Sequence, residues 1–220
     1  MDVLRNYQKN KDIKNVCKYF KTNKNSLDKN KINIICITII NYLDNNYNIC
    51  NDIIKEISKD LIKTIQEKYT DESSFNLGIR LAVLLYNKDL ILELLFNMEK
   101  HTLKIKSRTT EPLMNYGVKE KDIEFVNYIY DLSTKYKLIL SEYCYINLLT
   151  FYGETENIRY FDMVFNNVKK QLNVISLELS NLIMYYYSFR VINSKIINNC
   201  CSHCSTSLLE SKLSDVERLQ

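Results

Sequence analysis

A polar and apolar pattern repeats along the sequence with a spacing of about 35 residues. In its two clearest copies a polar residue is followed by four apolar residues whose spacing matches one stripe of an α-helix. The copies are Asp122, Ile123, Val126, Ile129, Tyr130 and Asn157, Ile158, Phe161, Val164, Phe165. A looser copy, Lys88, Asp89, Leu92, Leu95 and Phe96, lies 34 residues before the first of these. The pattern predicts a helix that recurs once per unit.

A second short apolar segment precedes each clear copy. These segments, Leu113 to Gly117 and Leu149 to Gly153, each predict a helix whose last turn ends in a left-handed glycine. Two helices per unit, repeated along the chain, predict an all-α solenoid. The low content of Gly (3) and Pro (1) agrees with helices joined by short polar links.

The same pattern predicts five helix pairs. The first pair comprises Asp2 to Gln8 and a helix that starts near Asp12, and the second comprises Ile32 to Leu43 and Asp52 to Tyr69. The third begins near Ser73, and the fifth ends near Gln171. An apolar helix from Leu177 to Tyr187 closes the stack, and a polar, cysteine-dense loop begins at Asn198. We therefore predict a repeat domain over residues 1–188 and the start of another module over residues 189–220.

Charge and cysteine usage indicate which class of partner and which kind of compartment suit the chain. The net charge is +4, and the first 32 residues carry nine Lys or Arg against three Asp, which favours a polyanionic partner. The most apolar run, Ile32 to Ile40, is too short to cross a bilayer, and no targeting segment is evident. Four isolated cysteines are predicted to be buried, which fits a reducing compartment such as nucleus, cytoplasm or organelle: Cys17, Cys36, Cys50 and Cys144.

The strongest local basic cluster outside the amino end lies between units three and four. It comprises Lys100, Lys104, Lys106 and Arg108, with no acid between them. No sequence pattern of an active site accompanies it, because the chain has no glycine-rich phosphate loop, no His-Glu-x-x-His and only two His. We predict no catalytic residue.

Three features of this chain resemble protein-only RNase P over roughly residues 70 to 210. The helix-pair unit of about 35 residues is that of pentatricopeptide repeats, and Arg108 to Leu113 resembles the Arg-(Ser/Thr)-x-x-Pro-(Ala/Leu) opening of one of the family's repeats. The run Cys201 to Leu208 is similar to the Cys-x-x-Cys-x-x-x-Leu that begins the family's central zinc-binding domain. The resemblance implies a right-handed superhelical solenoid of helix-turn-helix repeats.

The family also implies a function. Its repeat domain binds the folded corner of a precursor tRNA, while a separate metallonuclease domain uses aspartates and magnesium to cut the 5′ leader. Residues 205–220 do not supply such a carboxylate cluster, so we expect no catalysis by this chain alone, and a nuclease domain would act in cis or in trans. A fragment, a truncated gene model and a stand-alone repeat protein all fit this expectation.

Cys201 and Cys204 have the spacing at which one loop offers two thiolates to zinc. A closed structural site needs four ligands, and in the family the remaining His and Cys come from the far carboxyl end. The two cysteines therefore predict half of a zinc site.

Under this resemblance the residues that reach RNA lie on the first helix of each unit. Arg108, Asn115 and Asn147 are the predicted polar contacts, and Tyr116 or Tyr145 is predicted to stack on an exposed base. Lys100, Lys104, Lys106 and Arg108 would contact phosphates and make the affinity sensitive to salt. The position that reads a base in the repeat code holds apolar Ile146, which favours recognition of RNA shape over a single strand.

The competing hypothesis is a scaffold for protein partners. Tetratricopeptide repeats have nearly the same unit length and bind a protein segment along a groove. Lys, Arg and Asn on the first helices favour RNA, whereas alternating apolar pockets there would favour a protein segment.

Overall fold

The computed structural model describes residues 3–45 and 52–200, with side chains up to residue 188, and it contains α-helices and one short 3₁₀ turn, Lys24–Ser26, within these ranges. The helices are α1 Val3–Lys9, α2 Ile13–Asn23, α3 Lys29–Asn45, α4 Asp52–Lys68, α5 Glu72–Leu84, α6 Lys88–Lys100, α7 Ser107–Lys119, α8 Ile123–Lys135, α9 Glu142–Glu154, α10 Ile158–Gln171 and α11 Leu177–Cys200. The described residues form no strand, so the predicted all-α class is confirmed.

The repeat length is regular from the third unit onward. Helices α5, α7 and α9 each have 13 residues, and their first residues are spaced 35 apart. Helices α6, α8 and α10 begin at the same 35-residue spacing. The predicted helix pairs are thereby confirmed.

The starts of α2, α6, α8 and α10 are each set by one polar side chain. Asp12, Asn87, Asp122 and Asn157 each accept a hydrogen bond from the backbone amide three residues later. Such a bond satisfies an amide that has no partner inside the helix. In the two clearest copies, the polar residue that opens the pattern is therefore the N-cap.

The register predicted for α6 is wrong by one residue. The cap is Asn87, and the buried stripe is Ile91, Leu94, Leu95 and Met98, whereas Leu92 and Phe96 are 39% and 66% exposed. Because α6 carries apolar residues on more than one side, a spacing of 34 residues matched the pattern as well as 35.

The prediction for the two glycines is also wrong. Gly117 and Gly153 lie inside α7 and α9, and the left-handed residues between first and second helices are Lys11, Tyr86, Lys121 and Glu156, with φ of 52 to 53°. Both glycines are required by close packing instead. A Cβ at Gly117 would lie 2.7 Å from Cγ2 of Val126, and one at Gly153 would lie 2.3 Å from Cε1 of Tyr186.

The chain divides into two compact units, Met1–Leu138 and Ile139–Gln220. In the first unit, α1, α3, α5 and α7 pack in sequence as one layer, which we call the first-helix layer. Helices α2, α4, α6 and α8 form the second-helix layer, and each packs on the first helix of its own repeat. In the second unit, α9 packs on both α10 and α11.

The last helix is longer than predicted. Helix α11 continues to Cys200, so Asn198 and Asn199 are helical rather than part of a loop. No Gly or Pro interrupts the chain between Leu177 and Cys200, which leaves the helix no local reason to stop. The predicted change of module at residue 189 falls beyond the described side chains and stays a prediction.

Three of the isolated cysteines are buried as predicted. Cys17, Cys36 and Cys144 lie in the cores, and burial raises the pKa of Cys36 to about 12. Cys50 lies outside the described residues. Within the described ranges, no helix combines the length and the apolar character that a membrane span requires.

Candidate nucleic-acid interface

The predicted basic cluster occupies one loop of the first unit. Helix α6 ends at Lys100 and α7 begins at Ser107, and Lys100, Lys104, Lys106 and Arg108 are all exposed. We call this segment, residues 100–108, the cationic loop. Ile105 is only 3% exposed and packs into the core between Lys104 and Lys106. The buried isoleucine therefore holds the two flanking lysines at the surface.

Asn76 on α5 positions the cationic loop. Its side-chain amide donates to the carbonyls of Glu72 and Lys104 at 2.6 and 3.1 Å. Its carbonyl oxygen accepts the backbone amide of Lys106 at 2.9 Å, and the side chain is 5% exposed. The Lys106 ammonium also donates to the Ser73 hydroxyl at 3.3 Å. Two of these bonds are to the loop backbone, so the path of the loop does not depend on where its long side chains lie.

The four cations of the loop lack acidic partners among the described residues. None of them forms an ion pair with a carboxylate in the described part of the chain. Some other cations of the unit are paired between neighbouring repeats, as in Lys29 with Asp71 at 3.1 Å and Lys88 with Asp122. The positive charge of the loop is therefore available to an external anion.

The amino end of α7 differs from those of its neighbours. Asp71 caps α5 and Ser141 caps α9, whereas the N-cap residue of α7 is Lys106, whose side chain makes no capping hydrogen bond. The partial positive charge of a helix N-terminus therefore adds to that of the lysines. Exposed cations next to an N-terminus without a side-chain cap can bind a phosphate group.

The two tyrosines predicted to stack on bases are not available for stacking. Tyr116 is 6% exposed and packs between the rings of Tyr86 and Phe125, and this burial raises its pKa. Tyr145 is 1% exposed, and its hydroxyl donates to Gln171 at 2.7 Å. Both rings pack into the core, so the prediction that Tyr116 or Tyr145 stacks on a base is wrong.

The structure exposes a different tyrosine. Tyr143 on α9 is 66% exposed and lies 35 residues after Arg108, so the two occupy equivalent repeat positions. Tyr145 is equivalent to Thr110, which is fully buried. The 35-residue register aligns Tyr143 with Arg108, but exposure of this position follows from the packing and not from the register. The predicted contacts Asn115 and Asn147 are half-buried on α7 and α9.

Cys201 and Cys204 lie outside the described residues. Among the residues that are described, no group of three or more His, Cys, Asp or Glu is placed to hold a metal ion.

No protein-family model matches the sequence, and no curated protein sequence matches it. Its fold, however, is similar to solved structures. The pentatricopeptide-repeat domain of protein-only RNase P 1 from Arabidopsis thaliana, solved in complex with tRNA, matches 84% of this chain and 95% of its own, with a TM-score of 0.69 and 14% identity.

Nuclear proteinaceous RNase P 2 from the same plant matches 84% of this chain, with a TM-score of 0.70 and 14% identity. A second structure of that protein matches with a TM-score of 0.69 and 13% identity. In both cases the match spans 40% of the longer chain. The helix pairs described above therefore have the fold of a pentatricopeptide-repeat domain.

Proposed function

We propose that this chain is an RNA-binding helical-repeat module and that its RNA is a precursor tRNA. The observation that carries the proposal is the cationic loop: four exposed cations without acidic partners in the described part of the chain, beside the amino end of α7, on a fold shared with a domain solved in complex with tRNA. The fold match with a tRNA-bound domain does not favour the competing hypothesis of a peptide-binding scaffold.

The cationic loop would bind phosphates of a folded RNA. Asn76 and Ile105 hold the loop backbone, so Lys104, Lys106 and Arg108 would meet the RNA with little backbone ordering on binding. Each phosphate that a cation neutralises releases counterions, which makes the affinity fall with salt.

A folded RNA is a better candidate ligand for this chain than a single strand. The position that would read a base holds Ile146, which cannot form a base-specific hydrogen bond. Tyr143 in the second unit offers an exposed ring for a base that protrudes from an RNA loop. Shape and phosphate contacts, with stacking on Tyr143, are the recognition we propose.

In this proposal the chain supplies binding, and hydrolysis belongs to a nuclease domain in cis or in trans. Cys201 and Cys204 would contribute two of the four ligands of a structural zinc site. Comparing the zinc content of the purified protein with that of a Cys201→Ser, Cys204→Ser variant tests the zinc proposal.

The test of RNA binding compares three RNAs across a salt series: a precursor tRNA, the same RNA with its corner loops disrupted, and an unstructured RNA of equal length. We expect tight binding to the first alone. Changing Lys104, Lys106 and Arg108 together to Ala should weaken that binding by at least about tenfold. It should also reduce the slope of log affinity against log salt by about one for each phosphate that is no longer neutralised. Lys59→Ala, which removes an exposed cation of α4 that pairs with no described carboxylate, is the matched control.

Equal, weak and steeply salt-dependent binding to all three RNAs would show that the loop attracts polyanions without selecting a fold. The tRNA proposal would then fail. Full affinity in the triple variant would place the RNA-binding surface elsewhere.

A further inference from the structure

A groove on the second-helix layer of the first unit has no role in the proposed RNA binding. It lies between α2 and α4 and encloses about 480 Å³. Ile13, Cys17, Ile53 and Ile54 form its apolar floor and wall. Burial raises the pKa of Cys17 to about 11, so its thiol is uncharged at neutral pH and acts as an apolar surface. We call this feature the α2/α4 groove.

The edge of the α2/α4 groove is positively charged. Lys14 and Lys18 are exposed, lie one helical turn apart on α2, and form no ion pair with a described carboxylate. The acids that α4 contributes nearby are already paired, because Glu56 binds Lys21 at 3.0 Å and Asp52 lies 3.9 Å from Lys55. Two cations therefore flank an apolar floor without compensating charge from the described residues.

The next groove of the same layer provides an internal comparison. It lies between α4 and α6, encloses about 620 Å³, and contains charges of both signs, including Lys59, Lys63 and Glu67. Gln66 donates to Glu93 across it at 2.9 Å. Since this groove is polar and bridged, packing of second helices does not itself require an apolar, cationic groove. The apolar, cationic character of the α2/α4 groove is therefore not shared by the groove next to it.

The exposure of Ile53 supports the same conclusion. Its side chain is 55% exposed although it lies beside the buried Ile54. Core packing does not account for a large aliphatic side chain at that position, whereas covering it from outside would bury further apolar area.

We propose that the α2/α4 groove binds an acidic amphipathic segment of a partner protein. One or two large apolar side chains of the segment would enter the groove and cover Ile53, and its carboxylates would pair with Lys14 and Lys18. Charge complementarity and the apolar floor together select this occupant. RNA would satisfy the lysines but would leave the apolar floor uncovered.

The probe is a labelled helical peptide about four turns long, with Leu on one stripe and Glu on the remaining positions. Two peptides serve as controls, one with every Glu changed to Gln and one with every Leu changed to Ser. Binding is followed by fluorescence anisotropy with the full chain. Three protein variants are compared with wild type: Ile53→Asp, the double variant Lys14→Glu, Lys18→Glu, and Lys59→Glu. Lys59 lines the neighbouring groove, so Lys59→Glu makes the same kind of charge change outside the site.

We expect the Glu and Leu peptide to bind wild type and Lys59→Glu alike. Ile53→Asp and the double variant should each weaken it by at least tenfold, and neither control peptide should bind. All changed side chains are exposed, and circular dichroism checks that the variants remain folded.

The proposal is overturned if the peptide does not bind, or if it binds every variant equally. It is also overturned if the groove variants lower the affinity for precursor tRNA as much as changes in the cationic loop do, because the groove would then belong to the RNA surface. A failure of tRNA binding in all proteins would leave the peptide result intact, so the two proposals are tested separately.

Discussion

Glycine acts in two different ways in this fold, and the difference lies in the distance to a neighbouring helix. Gly78 on α5 has room for a methyl group, since a Cβ there would lie 3.6 Å from the nearest side-chain atom of Ile65. At Gly117 a Cβ would lie 2.7 and 2.8 Å from atoms of Val126 and Phe125 on α8. Val126 is fully buried and cannot rotate away.

We expect Gly117→Ala to lower the free energy of unfolding by about 1–3 kcal/mol, because α7 and α8 would have to move apart. Gly78→Ala should instead raise it by up to about 1 kcal/mol, since alanine favours a helix more than glycine does. Urea unfolding of both variants measures these two changes in the free energy of unfolding. Equal effects would show that the close approach at Gly117 does not limit packing.

Asp122 combines two roles at one carboxylate. It caps α8 and pairs with Lys88 of the preceding repeat. The hydrogen bond from Lys88 is the main reason that the pKa of Asp122 is lowered. Since the pKa is lower in the folded protein than in the unfolded chain, the carboxylate's contribution is complete above the ordinary aspartate pKa of about 4 and is lost as the pH falls through the lowered value.

Asp122→Asn should therefore keep the cap and lose this pH dependence. Asn87 and Asn157 perform the same capping role at equivalent positions. Asp122→Ala should lose the cap and cost about 1 kcal/mol at neutral pH. Thermal unfolding between pH 3 and 7 measures how stability changes with pH, because this range includes the ordinary aspartate pKa of about 4. An unchanged acid slope in Asp122→Asn would contradict the assignment.

At the scale of elements, the cationic loop depends on a side chain that carries no charge. Asn76 of α5 bonds to the backbone of the loop on both sides of Ile105. The equivalent positions in the two later repeats hold Glu111 and Ile146, and neither side chain can both donate and accept as the Asn76 amide does. Loop position and loop charge are thus separable by mutation.

Asn76→Ala should weaken binding to precursor tRNA although every cation is retained. It leaves buried backbone groups without partners, so we also expect a decrease of about 1–3 kcal/mol in stability. Ser73→Ala, which removes only the hydroxyl that accepts from the Lys106 ammonium, is the control and should change neither quantity much. Binding isotherms at one salt concentration, with circular dichroism, test this. Unchanged affinity in a folded Asn76→Ala protein would refute the positioning role.

At the scale of the whole molecule, each of the two compact units has its own buried residues. The first, Met1–Leu138, contains both layers from α1 to α8 and the whole cationic loop. Stability in a repeat array is approximately a sum of repeat terms and nearest-neighbour terms. Part of an array can therefore fold without the rest.

We expect residues 1–138 produced alone to be helical, to unfold cooperatively, and to retain the salt-dependent part of RNA binding. They should lack any contribution from Tyr143, which lies in the second unit. Circular dichroism measures the helicity and unfolding of the fragment, and RNA titrations compare its affinity with that of the full chain. Non-cooperative unfolding of the fragment would show that the units depend on each other.

The sequence by itself determined the helices of this protein. Helical periodicity and N-cap chemistry act over a few residues, so the helix pairs, their caps and the 35-residue register could be predicted for α7 to α10 from residues such as Asp122 and Asn157. The cationic loop was also evident, because four cations without an acid are visible in the sequence.

Only the tertiary structure decided which side chains of a first helix remain exposed. Helix α9 packs on α10 and α11, and packing rather than residue type assigns Tyr143 to solvent and Tyr145 to the core. The role of Gly117 and the partner of Lys88 were decided in the same way. These are interactions between residues distant in sequence, which a local pattern does not encode.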